Sequence, residues 1–88
     1  MAFSSISTWG ASLFPRFLSG SDFKPKTRLT FRAGLRCFVG WCISHGIPEP
    51  DAAALCRWKA FLLARYQVAT ARTYLSAVKC FFRWMADA

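Results

Sequence analysis

The sequence predicts an all-α fold, a small four-helix bundle in which one short helix precedes three long ones. Three segments place apolar side chains three and four residues apart, which is the spacing of one helix face. No segment alternates β-branched or aromatic residues with polar ones between turn signals, as a half-buried strand would. At 88 residues the chain suits one domain with a single core and is too short for two.

The N-terminal part is predicted to contain a tail and the short helix. We expect residues 1–12 to form a flexible tail and residues 13–88 to form one domain. The segment ASLFPRFL contains Pro15, and proline interrupts a helix interior, so we expect only one or two turns here. Its apolar side chains are expected to cover one end of the core, and they are Leu13, Phe14, Phe17 and Leu18.

The first long helix is predicted to run from about Thr27, as N-cap or first-turn residue, to about Ser44, before Gly46 and Pro48. Its predicted core stripe is Phe31, Leu35, Phe38 and Cys42, with Trp41 beside it. Arginine recurs at every fourth residue next to that stripe, and no acid interrupts the row Arg28, Arg32 and Arg36. This row is a candidate anion-binding surface.

The second long helix is predicted to begin around Asp51, whose carboxylate suits a helix N-terminus, and to continue to Arg65. Its predicted buried face is Leu55, Trp58, Phe61 and Leu62. The basic residues of this helix are scattered around the remaining circumference, and they are Arg57, Lys59 and Arg65. That distribution is typical of ordinary solvation, so this helix ranks below the other two as a binding surface.

The third long helix is predicted from Ala69 or Thr70 to about Ala86, with its charges and aromatics on opposite sides. The apolar arc holds Ala71, Tyr74, Leu75, Val78, Phe81, Phe82 and Met85. The opposite arc holds Arg72, Ser76, Lys79 and Arg83, without any Asp or Glu. Acid–base pairs four residues apart would stabilise a helix by a few tenths of a kcal/mol, whereas repeated like charges repel. The pattern therefore indicates a negatively charged partner.

The overall charge narrows the class of partner. Twelve Lys and Arg against four Asp and Glu give a net charge of +8, which suits nucleic acid, an anionic membrane surface or an acidic protein. The longest apolar run, CFVGWCI, is far shorter than the roughly 18–20 residues of a membrane span. Three amphipathic helices can bury one another's apolar faces, so we expect no membrane partner.

The sequence offers little for catalysis or for binding a metal. Its one histidine, His45, falls in a predicted helix-terminating loop, and its four acids fall near helix ends. We find no Gly-rich phosphate loop, metal-ligand cluster or nucleophile motif, and Tyr74 lies on an apolar face. We therefore expect no enzyme activity, no metal and no other cofactor.

The four cysteines are expected to be buried, reduced thiols on helices, although the sequence does not exclude disulfides. Cys37, Cys42, Cys56 and Cys80 have neither CxxC spacing nor nearby histidines. Reduced thiols fit a cytoplasmic protein.

Three segments carry a resemblance to a known family: KTRLTFRAGLRCFVGWCISHGI, LCRWKAFLLAR and ATARTYLSAVKCFFRWM. Together they resemble the N-terminal core-binding, SAM-like domain of the tyrosine recombinase or phage integrase family, over roughly residues 13–87. The most specific part is TARTYLSAVKCFFRW, which is similar to the last helix of that domain. Thr27 and Phe31 are similar to a Thr and a Tyr near the start of the family's second helix.

The resemblance implies a four-helix DNA-binding domain whose second and fourth helices reach the major groove and adjacent phosphates of a recombination site. Thr27 and Ser76 would donate hydroxyl hydrogens, and the basic residues would neutralise phosphates or contact base edges. The DNA-binding residues we expect are Thr27, Arg28, Arg32, Arg36, Arg72, Ser76, Lys79 and Arg83.

The resemblance also implies partners and a setting. They are double-stranded DNA, the catalytic domain of the same parent protein and other recombinase protomers, in the cytoplasm of a bacterium or of the host of a phage or mobile element. Strand cleavage would belong to that separate catalytic domain, so we expect this chain to bind DNA without cutting it. The alternative is a small helical protein-interaction module whose basic rows meet an acidic partner, which the excess of Phe and Trp favours.

Overall fold

A computed structural model describes residues 13–20 and 22–87, and in these ranges it contains four α-helices and no strand. The helices are α1 (Phe14–Gly20), α2 (Pro25–Ser44), α3 (Ala52–Arg65) and α4 (Val68–Asp87). The prediction of an all-α domain with one short and three long helices is confirmed. The predicted tail, residues 1–12, lies outside the described residues.

Two helices begin at positions that differ from those predicted from the sequence, and each has a proline in its first turn. Pro25 occupies the first turn of α2, two residues before Thr27, where its fixed φ fits and its missing N–H is not needed. Lys24 is the N-cap residue of this helix. Its backbone is extended, and its side chain makes no capping hydrogen bond. In α1, Pro15 likewise lies in the first turn, so it begins the helix instead of interrupting it. Thr27 therefore lies in the first turn of α2.

The turn after α2 uses backbone hydrogen bonds and one glycine. The His45 N–H donates to the carbonyl oxygens of Trp41 at 3.1 Å and Cys42 at 3.2 Å. Gly46 then adopts a φ of +66°, a left-handed conformation that glycine reaches without steric cost. Since the Ile47 N–H returns to the Cys42 carbonyl at 2.9 Å, the turn directs the chain towards α3.

The start of α3 depends on the side chain of Asp51, whose Oδ1 accepts a hydrogen bond from the Ala54 N–H at 3.0 Å. We expect Asp51→Ala to lower the free energy of unfolding by about 1 kcal/mol, because one backbone donor loses its cap. Asp51→Asn keeps a capping oxygen and is expected to retain most of that stability. Urea denaturation followed by circular dichroism measures both variants, and equal losses would contradict the capping role.

The core lies among all four helices, and aromatic side chains dominate it. Phe38 of α2 contacts Trp58 of α3 with ring centroids 4.9 Å apart. Phe81 of α4 meets Phe14 of α1 at 4.9 Å and Phe17 of α1 at 5.4 Å. The prediction that α1 covers one end of the core is confirmed, because Phe14, Phe17 and Leu18 are all buried.

The predicted core stripes are correct in position but not uniformly buried. The fully enclosed residues are Leu35, Phe38, Cys42, Trp58, Leu62, Ala71, Ala77, Val78 and Phe81. Five residues predicted for the stripes are only half-buried, and they are Phe31, Leu55, Phe61, Tyr74 and Phe82. All five still pack against the buried core.

Helices α2 and α4 approach each other closely at Gly34. A Cβ atom at this position would lie 3.1 Å from both Cα and Cδ1 of Tyr74, tighter than ordinary van der Waals contact. The missing side chain therefore lets the two backbones come together. This contact sets the spacing of the groove between α2 and α4 nearby.

Candidate nucleic-acid interface

The basic row of α4 is exposed along its whole length. Arg72, Ser76, Lys79 and Arg83 are all exposed, and they fall within an arc of about 60° at 100° per residue. The row extends roughly 16 Å along the axis, at 1.5 Å per residue. The opposite side is buried, as at Val78 and Phe81. No ion pair joins this row to the rest of the described chain, so its three positive charges face solvent.

A groove lined with hydroxyl groups runs between α4 and the first turns of α2, with a volume of about 470 Å³. Its walls are formed by Lys26, Thr27, Thr30 and Phe31 from α2, and by Thr73 and Ser76 from α4. Ser76 thus belongs both to this groove and to the basic row. The structure brings together Thr27 and Ser76, the two predicted hydroxyl donors.

The four hydroxyl groups of the groove are not equivalent. Thr30 donates to the Lys26 carbonyl at 3.1 Å, and Thr73 donates to the Ala69 carbonyl at 3.0 Å. Thr27 and Ser76 make no such bond within the described chain, so their hydroxyl hydrogens remain available to an oxygen ligand. A phosphate oxygen suits this position, because its negative charge is complementary to the positive charge of Lys26 in the same groove.

The arginine row of α2 lies on another side of the same helix. Arg28 and Arg32 are each two residues from Thr30, and this separation turns them about 160° away from it around the helix. They line a cleft between α1 and α2 together with Arg36 and apolar side chains. This cleft and the hydroxyl-lined groove share no residue. The eight predicted DNA-binding residues therefore form two separate surfaces.

Arg28 differs from the other two arginines because it is partly buried. Its guanidinium donates to the Phe23 carbonyl at 3.2 Å, in the segment between α1 and α2. Its Nε is buried and has no hydrogen-bond partner among the described residues. Arg32 and Arg36 are exposed and have no partner of this kind within the described chain. Arg28 thus stabilises the segment between α1 and α2 by this hydrogen bond, while Arg32 and Arg36 face outward.

Three polar residues of the hydroxyl-lined groove were not predicted from the sequence to bind DNA, namely Lys26, Thr30 and Thr73. A signal was present: the segments TRLT and TYLS each place two hydroxyl residues three apart, on one face of their helix. The pairing of those two faces is a tertiary contact, which periodicity within one helix does not encode.

His45 and Tyr74 make structural contacts in the described chain. The His45 ring stacks on Trp41 with centroids 4.5 Å apart, and its Nδ1 lies 2.9 Å from the Trp41 carbonyl oxygen. Tyr74 packs on Gly34 and lies 5.7 Å from the ring of Tyr66. Electrostatic and hydrogen-bonding interactions with the Cys37 side chain raise the pKa of the exposed Tyr66 phenol. Among the described residues, no group of three or more His, Cys, Asp or Glu is placed to hold a metal ion.

The four cysteines are free thiols, and only Cys42 is fully buried. The expectation of buried thiols is wrong for Cys56, which is exposed on α3, and Cys37 and Cys80 are half-buried. Burial raises the pKa of Cys42 to about 11 from 9.0, against a smaller opposite effect of the Arg57 charge.

We expect alkylation by iodoacetamide to modify Cys56 first and Cys42 last. The Cys42 thiol is enclosed, and its raised pKa keeps it protonated, whereas the reacting species is the thiolate. The unfolded chain loses the Cys42 proton near pH 9.0, whereas the folded chain loses it near pH 11. The free energy of unfolding is therefore expected to fall as the pH rises between these two values. Peptide mass spectrometry after timed labelling gives the order, and early modification of Cys42 would contradict its burial.

No family model, curated protein or solved structure matches this chain significantly. None of the helices in residues 13–20 and 22–87 combines the length and apolar character needed to cross a bilayer.

Proposed function

We propose that this chain is a DNA-binding domain of the SAM-like, core-binding type found in tyrosine recombinases and integrases. In this role it holds duplex DNA at a recombination site for a separate catalytic domain. The observation that carries the proposal is the exposed, acid-free row Arg72, Lys79 and Arg83, which adjoins the hydroxyl-lined groove at Ser76.

The geometry of this surface suits a phosphate backbone. Lys and Arg neutralise phosphates and release bound counterions, which supplies most of the affinity for DNA of any sequence. The hydroxyls of Thr27 and Ser76 are free to donate to phosphate oxygens at the edge of the same row. A single helix fits a major groove about 12 Å wide, where an exposed Arg contacts guanine through two hydrogen bonds. Helix α4 is therefore the element we place in or along the major groove.

Two further features support this class of domain. The order of one short and three long helices agrees with the resemblance, and α2 and α4, the two helices that the resemblance assigns to DNA, lie side by side. The partners of this role are the catalytic domain of the same parent protein and further recombinase protomers. DNA cleavage belongs to that catalytic domain, and this chain binds without cutting.

Fluorescence anisotropy with a labelled duplex of about 20 base pairs tests the proposal. We expect a Kd of roughly 10⁻⁴–10⁻⁶ M at physiological salt, and about three phosphate contacts correspond to a slope of log K against log salt near −2.7. Polyglutamate of similar total charge serves as the competitor. A folded protein that binds polyglutamate but not DNA, even at low salt, would overturn the proposal in favour of an acidic protein partner.

A further inference from the structure

The outer face of α2 carries a stripe of apolar and basic residues that is separate from the proposed DNA surface. Leu29 is 68% exposed and Ile43 is 57% exposed, so both present apolar surface on this face. Arg32 and Arg36 lie between them and are also exposed. We name this set, Leu29, Arg32, Arg36 and Ile43, the α2 stripe.

The spacing of the α2 stripe is that of a helix-pairing seam. Leu29, Arg36 and Ile43 are seven residues apart, and Arg32 lies three residues after Leu29. Successive spacings of three, four and seven residues keep these side chains on one face, as the spacings of positions a and d in a coiled coil do. The stripe spans roughly 21 Å of helix axis at 1.5 Å per residue. A partner helix of about four turns would cover it.

The cleft beside the stripe adds apolar surface at the end near Leu29. Phe14, Pro15 and Leu18 of α1 line it, and the row of three arginines lines its α2 side. Pro15 is exposed, and Arg28 is held by the Phe23 carbonyl, so Arg32 and Arg36 supply the free charge. An occupant must therefore combine apolar side chains with negative charge.

A second copy of this chain does not meet that requirement. Pairing two α2 stripes, parallel or antiparallel, would place arginines opposite arginines. Such like charges repel strongly when the interface excludes water. The protein carries +8 overall, and residues 1–12 contain no Asp or Glu, so that segment offers no complementary charge either.

The pattern also disfavours lipid and DNA as occupants. A helix that lies in a membrane surface keeps its apolar residues along the midline and its basic residues at the flanks, whereas here the arginines occupy the midline. A phosphate backbone would leave Leu29 and Ile43 without apolar partners.

We infer that the α2 stripe is the docking surface for an amphipathic helix of another protein, with carboxylates at its centre and apolar residues at its ends. Glu or Asp at the centre pairs with Arg32 and Arg36, and Leu or Ile at the ends covers Leu29 and Ile43. This goes beyond DNA binding and does not rest on it, because the α4 row contributes no residue to the stripe.

The test uses a synthetic, capped helical peptide of about 18 residues with central Glu and terminal Leu, and a second peptide with Gln in place of Glu. Peptide binding is measured by anisotropy at physiological salt, where a Debye length of about 8 Å screens the charges of α4. We expect the Glu peptide to bind at least about tenfold more tightly than the Gln peptide, since charge complementarity selects it. Chemical shift changes are expected at Leu29 and Ile43.

Two variants with equal charge change separate the surfaces. Arg32→Glu with Arg36→Glu is expected to weaken the Glu peptide at least about tenfold, whereas Arg72→Glu with Arg83→Glu is expected to change its Kd by less than about twofold. Circular dichroism confirms folding of both. The inference would be overturned if the two variants lost the same affinity for the Glu peptide. It would also be overturned if the two peptides bound equally well, or if neither bound to the folded protein. Shifts of Leu29 and Ile43 caused by duplex DNA or by phosphatidylserine vesicles, and not by the Glu peptide, would overturn it as well.

Discussion

Replacing Arg72, Lys79 and Arg83 with alanine is expected to abolish most of the affinity for duplex DNA while leaving the bundle folded. Each lost phosphate contact lowers the magnitude of the salt slope by about 0.9, so the slope should fall by nearly three units. We expect binding at low salt to weaken by well over tenfold. All three side chains are exposed, and none forms an ion pair within the described chain, so their removal costs little stability.

The matched control removes three positive charges from α3, at Arg57, Lys59 and Arg65. The two arginines lie over aromatic rings, Arg57 over Trp41 at 5.6 Å and Arg65 over Phe61 at 5.8 Å, so a small loss of stability is expected. DNA affinity should change much less than in the α4 variant, although the net charge is the same. An equal loss in both variants would mean that net charge, and not the α4 row, determines binding.

Replacing Phe81 with alanine is expected to remove about 3–5 kcal/mol of stability, because a fully enclosed ring leaves a cavity. The ring contacts Phe14 and Phe17 of α1 and Trp84 of α4, so the variant also loosens α1. A domain of this size changes its Tm by roughly 4–8 °C per kcal/mol, so a fall of more than about 12 °C is expected.

Leu63→Ala is the control for Phe81→Ala, because Leu63 lies in α3 and is 47% exposed. Its Tm should remain within a few degrees of the wild-type protein, since surface substitutions rarely change stability by more than about 0.5 kcal/mol. Calorimetry of the two variants gives the comparison. A Phe81→Ala protein as stable as Leu63→Ala would contradict the central place of Phe81 in the core.

The helices were predictable from the sequence because each one carries its own signal. Apolar residues at spacings of three and four define the face that packs inward, and α4 follows this rule from Ala71 to Met85. Asp51 was predicted to lie at the start of α3 because a carboxylate there satisfies a free backbone N–H. Proline misled the prediction at α1 and α2, since it was treated as an interruption or a preceding turn where it occupies a first helical turn.

The arrangement of the candidate site was less predictable, because it depends on how helices pair. The exposure of Arg72, Lys79 and Arg83 follows from α4 alone. Thr27 and Ser76 line the same groove because α2 and α4 approach each other closely at Gly34. Arg32 and Arg36 line a different cleft, which depends on the position of α1. The partial burial of Arg28 depends on a carbonyl outside its helix, at Phe23.

The measurement that tests the DNA proposal most directly is a ¹⁵N NMR titration of the protein with a duplex of about 20 base pairs at low and at physiological salt. The proposal predicts the largest amide shifts at Thr27, Arg72, Ser76, Lys79 and Arg83, with smaller shifts at physiological salt. Amides of the α2 stripe, Leu29, Arg32, Arg36 and Ile43, should move much less. A folded protein whose amides do not shift at low salt, or whose shifts centre on the α2 stripe, would contradict the placement of DNA on α4.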